Sequence, residues 1–176
     1  MKKYITLTLL FVGICSFAQS SQNENITSVK LTEAYKQKAI DKVLEFYNYI
    51  ELLTDPALNS KMKEHTANEA LKLFITPQTA IHNFFNKTKT NPSISALLKN
   101  ATHQKKQYHF TLTTITATPQ YQNPEQEEWI VTYSLTINNS KGILLKQNFI
   151  IKVENKKFGN SIKKVKNTYL GEIIVL

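Results

Sequence analysis

ILLKQNFIIKV, Ile143 to Val153, is the stretch on which the fold reading turns. Isoleucine, leucine, phenylalanine and valine dominate it, and such residues suit a pleated, half-buried surface. Residues two apart share a face in a strand, so Ile143, Leu145, Phe149 and Ile151 mark a core-facing side. Gln147 keeps step with them. A buried amide needs hydrogen-bond partners, so this position is expected either to bond a neighbour or to line a cavity.

The same period of two extends to both sides. After Lys105 four strands are read: Gln107 to Ala117, Glu128 to Ile137, Ile143 to Val153, and Ile162 to the C-terminus. Trp129, Val131, Tyr133, Leu135 and Ile137 fall on one face of the second. In the fourth, the odd positions Val165, Asn167, Tyr169, Ile173 and Val175 form the apolar side, with Asn167 interrupting it as Gln147 interrupts its neighbour. The turns Asn138 to Gly142 and Asn155 to Gly159 are short, which implies an antiparallel meander. Ile130, Leu144, Ile150 and Ile174 lie on the opposite face, and a second subunit is the simplest cover for them.

Before Lys105 the period is helical. Tyr35, Ala39, Ile40, Val43, Leu44, Tyr47 and Ile50 recur every three or four residues, which predicts a helix from Thr32, its N-cap, to about Leu53. Asp55-Pro56 reads as the entry to a short helix ending near Glu64. Thr66 to Glu69 matches a capping box that opens another. Pro77 breaks that run, and Thr79 to Phe85 reads as a short strand or a helical turn. Asn91-Pro92 caps a last helix, with Ile94, Leu97 and Leu98 on one side. Helices first and strands later give an α+β class, with helices on one face of an antiparallel sheet.

The chain opens MKKYITLTLLFVGICSFAQ. Two lysines, an apolar run from Ile5 to Ile14, and Ser16 and Ala18 before Gln19 form the layout of a cleaved signal peptide. The expected organisation is a signal peptide over residues 1–18, a disordered mature N-terminus over 19–31 and one domain over 32–176. Ile14 is too large for the residue before a lipidated cysteine, so Cys15 is expected to leave with the leader. The mature chain then has no cysteine and no thiol chemistry. Localisation is expected to be periplasmic or secreted, with no transmembrane segment in the mature chain.

The net charge is +9, carried entirely by lysine, with no arginine anywhere. Arginine is the residue suited to bidentate phosphate and base contacts, so nucleic acid is not expected as a partner. Lys156, Lys157, Lys163, Lys164 and Lys166 cluster near one hairpin. The histidines, His65, His82, His103 and His109, have no metal-ligand spacing. There is no nucleophile elbow, P-loop or dinucleotide fingerprint, and no cofactor is expected.

The element order and lengths resemble the nuclear transport factor 2-like superfamily, the cystatin-like α+β cone that includes ketosteroid isomerases, scytalone dehydratase and SnoaL-like cyclases. The resemblance spans nearly the whole mature chain and rests on the layout rather than on a sharp motif. It implies a curved sheet wrapped around the long first helix, a pocket at the mouth of the cone with His82 on its rim, and a homodimer formed through the sheet. It brings no catalytic residue with it. Glu125 and Glu127 read as loop residues, Glu128 and Glu172 fall on the outward parity, Glu154 ends a strand, and Asp41 and Asp55 look exposed or capping. An isomerase-type base is therefore not seen. The candidate pocket residues are Tyr47, His82, Tyr133, Gln147, Asn167 and Tyr169, polar groups in an apolar interior. The expected function is an exported protein that binds a small apolar ligand or a partner. The alternatives are an isomerase- or cyclase-type enzyme and an envelope interaction module without a pocket.

Overall fold

The structure, a computed structural model, describes residues 29–85, 91–123 and 125–176. The expected signal peptide, its cleavage point and most of the expected disordered segment lie outside these residues. The chain divides into two units, residues 1–37 and 38–176. In the first, the described residues 29–37 are helical, and Lys36 pairs with Glu33 one turn before it. Residues 29–31 were expected at the end of a disordered tail. Thr32, the expected N-cap, instead lies inside the helix.

Among the described residues, three helices and a four-stranded antiparallel sheet make up the architecture, in the α+β class expected. The helices are α1 over 29–54, α2 over Ser60–Lys72 and α3 over Ile94–Thr102. The strands are β1 Phe110–Gln122, β2 Gln126–Ile137, β3 Ile143–Phe158 and β4 Ser161–Val175, paired in chain order.

In unit 2, α1 buries Ala39, Val43, Phe46, Tyr47, Ile50 and Leu53. This 3–4 spacing is the stripe a core-facing helix needs. The helix is tied to the start of the sheet by two side chains in its last turn. Thr54 Oγ1 accepts from Tyr108 N, and Glu51 Oε1 accepts from Phe110 N.

Residues 55–72 hold one helix, α2, rather than two. Asp55 Oδ1 accepts from Ala57 N and shapes a turn, whereas Asn59 is the true N-cap, accepting from Met62 N at 2.9 Å. Thr66 sits in mid-helix, and Glu69 pairs with Lys72 instead of reaching back to it. A capping box satisfies free N–H groups. Here the turn from Ser60 onward already supplies carbonyl acceptors, so the local signal has nothing left to cap. Ser93 caps α3 by accepting from Ala96 N.

β1 runs on through Pro119 to Gln122, further than Ala117. An edge strand tolerates a residue without an N–H. Its register slips between Thr113 and Thr116, where Thr114 takes a positive φ of 50°, and again between Pro119 and Tyr121. β3 and β4 also outrun the expected turn, because pairing continues to Phe158 and Ser161. Gly159, with a φ of 59°, opens the two-residue turn there, where glycine avoids the strain of a left-handed backbone.

The far edge of the sheet, β4, is covered by the chain between α2 and α3. Leu170 N donates to Leu73 O, Ile75 N to Leu170 O, and Ile173 N to Ala80 O. The pairing of β3 with β4 slips between Gln147 and Phe149, whose partners are Ile173 and Leu170. One extra residue therefore stands in β4 at Gly171-Glu172. Such a bulge turns over the parity of everything beyond it.

Candidate functional site

The inner sheet face carries Trp129, Val131, Tyr133 and Leu135 from β2 and Leu145, Gln147, Phe149 and Ile151 from β3, all buried. Gln147 is 0 % exposed. Its Oε1 accepts from the Tyr133 hydroxyl at 3.1 Å, and the Tyr133 and Tyr47 hydroxyls lie 2.9 Å apart. A phenol has one proton to give. Tyr133 gives its proton to Gln147, so Tyr47 must donate to Tyr133. The chain runs in one direction, from helix to sheet.

Aromatic rings enclose these polar groups. Tyr47 packs edge-on against Tyr133 and Phe84, and tilted against Phe110 and Phe46. Burial raises the Tyr133 pKa, and burial together with Tyr133 raises that of Tyr47 well above the ordinary phenol value. Both are neutral donors at any ordinary pH. Two further donors on this face, Trp129 Nε1 and Gln147 Nε2, are buried and have no hydrogen-bond partner among the described residues.

Asn167 and Tyr169 are not part of this interior, contrary to the sequence expectation. The bulge at Gly171-Glu172 is the reason. Counted back from Ile173, the odd positions cross to the outer face, while Leu170 and Thr168 turn inward. Asn167 pairs across from Lys152 and Tyr169 from Ile150, both of outer parity. There they serve Glu154. Asn167 Nδ2 donates to Glu154 Oε2 at 2.5 Å, and the Tyr169 hydroxyl donates to the same carboxylate at 3.1 Å. Glu154 lies within β3 rather than at its end. Its pKa is lowered chiefly by the Asn167 hydrogen bond, with help from Tyr169, Lys152 and Lys156. Sequence reasoning missed this carboxylate cluster. Its signal lay in Gly171, a glycine within a strand, which often marks a bulge.

His82 stands apart from the phenols, half-buried with its ring edge-on to Phe84 at 5.5 Å. Burial lowers its pKa, so it is neutral near pH 7. His109 points outward and is exposed, as its parity predicts.

The outer face is partly apolar. Leu144 is 47 % and Ile174 is 41 % exposed, and Ile130 is half-buried. Ile150, expected to be exposed with them, is only 9 % exposed. Its Cδ1 lies against Gly171, in a concavity of about 380 Å³ that Thr76 and Thr79 also line. A second concavity, of about 510 Å³, lies between α2 and α3, with Leu71 and Leu98 in it and Lys63, Lys99 and His103 around it. Neither of these is lined by Tyr47, Tyr133 or Gln147.

Comparison with known proteins returns no matching family model, no matching curated protein and no matching solved structure.

Proposed function

We propose that this chain is an exported, non-catalytic module of the nuclear transport factor 2-like kind that works through its surface, pairing with a second copy through the outer sheet face. The supporting observation is the closure of the position where a pocket was expected. Tyr47, Tyr133 and Gln147 are 2 %, 0 % and 0 % exposed and hydrogen-bond in a row, while Leu144 and Ile174 stay open on the other face. A catalytic reading lacks a base beside the phenols, because their partners are each other and an amide, and none of these takes a proton near neutrality.

A second reading, a small ligand held in the interior, is favoured by one observation. Among the described residues Trp129 Nε1 and Gln147 Nε2 are donors without acceptors, and a buried polar group normally has a partner. The ligand would be a small acceptor such as a carbonyl compound.

Native mass spectrometry and sedimentation of the protein recovered from the exported fraction test both readings. The expected result is a mass beginning near Gln19, a dimer at micromolar concentration, and a monomer for the Leu144→Lys, Ile174→Lys double variant. A monomeric parent protein would sink the surface reading. A bound molecule of a few hundred daltons (about the size of ligand such pockets hold) would replace it with the ligand reading.

A further inference from the structure

β2 stops short of the hairpin that β3 and β4 form. Its last rung is Gln126 opposite Lys152, whereas β3 and β4 continue pairing to Phe158 opposite Ser161. Val153 N still donates to Glu125 O, so residues 154–158 and 161–165 are the two-stranded ribbon beyond the sheet, roughly 17 Å long at the usual rise per residue. Isolated two-stranded hairpins are marginal. This one also carries a destabilising pattern: Lys156 stands directly opposite Lys163, and like charges across a rung repel. Lys157 and Lys164 project from the other side of the ribbon. No Asp or Glu occurs between Glu154 and Glu172. The Glu154 carboxylate is occupied by Asn167 and Tyr169, and Glu127 by Lys166. Among the described residues no ion pair holds Lys156, Lys157, Lys163 or Lys164.

The tip beyond the lysines carries two exposed apolar side chains beside the polar Asn160 and Ser161. Phe158 is 48 % and Ile162 is 71 % exposed, one on each side of the ribbon around the Gly159-Asn160 turn. Exposed apolar side chains backed by cations on both sides match the boundary of an anionic bilayer. There the tip enters the acyl region and lysines sit at the headgroups with their stems alongside. Lysine suffices for this, since a charged surface asks for point charges rather than a planar fork. A phosphate backbone would use the lysines but would leave Phe158 and Ile162 in water.

We propose that this ribbon docks the protein on an anionic lipid surface, with Phe158 and Ile162 inserted and Lys156, Lys157, Lys163 and Lys164 against the headgroups. The proposal uses residues separate from Leu144 and Ile174, and it stands whether or not the protein dimerises.

Flotation of the mature chain with vesicles of phosphatidylcholine alone, or of phosphatidylcholine mixed with phosphatidylglycerol, tests it. Binding is expected to the mixed vesicles only and to fade as salt is raised. The Lys156→Glu, Lys163→Glu variant should bind at least about tenfold more weakly. The Lys157→Glu, Lys164→Glu variant, altered on the opposite side, should behave alike. Both should melt with the parent, because these side chains are exposed. In Phe158→Trp the emission should shift to the blue on mixed vesicles, against the constant background of the buried Trp129. Equal binding to both kinds of vesicle overturns the proposal, as does binding that survives both charge reversals. Tight binding to a DNA duplex with no emission shift on vesicles would assign the ribbon to a soluble polyanion instead.

Discussion

Gln147 and Asn167 are two amides that looked alike in their strands, and the fold places them on opposite sides of one sheet. Gln147 ends a closed chain of neutral hydrogen bonds among aromatic rings. Asn167 holds an ionised carboxylate on a half-exposed face surrounded by lysines. The difference is one residue of register at Gly171-Glu172. Side-chain parity is a local rule, and a single bulge resets it for a whole strand.

Five substitutions probe this contrast, from the largest expected effect to the smallest. Leu170 lies on the inward side of the shifted strand and is fully buried. Leu170→Ala should lower unfolding free energy by about 2–5 kcal/mol. A urea midpoint close to that of the parent would mean that the register is not the one described.

Gly171 makes the bulge possible. A Cβ there would meet Asn148 Cβ at 2.8 Å and Ile150 Cδ1 at 3.5 Å. Gly171→Val should therefore cost about 1–3 kcal/mol through overpacking. If the strand instead ran regularly, the substitution would suit it and raise the melting temperature.

The inner hydrogen-bond chain comes next. Tyr133→Phe leaves the Tyr47 hydroxyl without an acceptor and Gln147 Oε1 without a donor. The loss should be about 1–3 kcal/mol. Gln147→Leu should cost less, about 1 kcal/mol, because it also removes the unpartnered Nε2. The two changes together should cost less than their sum, since they share one network. Strict additivity in a double-mutant cycle would argue against a connected chain.

Asn167→Ala should have the smallest effect on stability, since its partner is solvated. Its signature is in pH. The folded pKa of Glu154 is lowered, so its contribution is present above the ordinary carboxylate value and is lost as pH falls through the folded one. Removing Asn167 should move the Glu154 titration, followed by NMR, back upward. The inner network should contribute no such slope in acid, because its phenols stay neutral. An unmoved Glu154 titration would break the assignment of Asn167 to the outer face.

Much of this protein follows from the sequence alone. The switch from a period of three or four to a period of two near Lys105 determines helices first and an antiparallel meander after, because hydrophobic spacing states which face each element must bury. The inward placement of Gln147 with Tyr133 and Tyr47 follows from the same spacing. Caps were less legible: Asn59 rather than Asp55 or Thr66 starts α2, because a cap matters only where backbone N–H groups are still free. Tertiary structure alone decided the side on which Asn167 and Tyr169 lie, the covering of Ile150, and the reach of the lysine ribbon past β2. Each of these depends on which residue stands opposite which on another strand, and on where a neighbouring strand ends. A pattern along one strand carries no information about its partner's register.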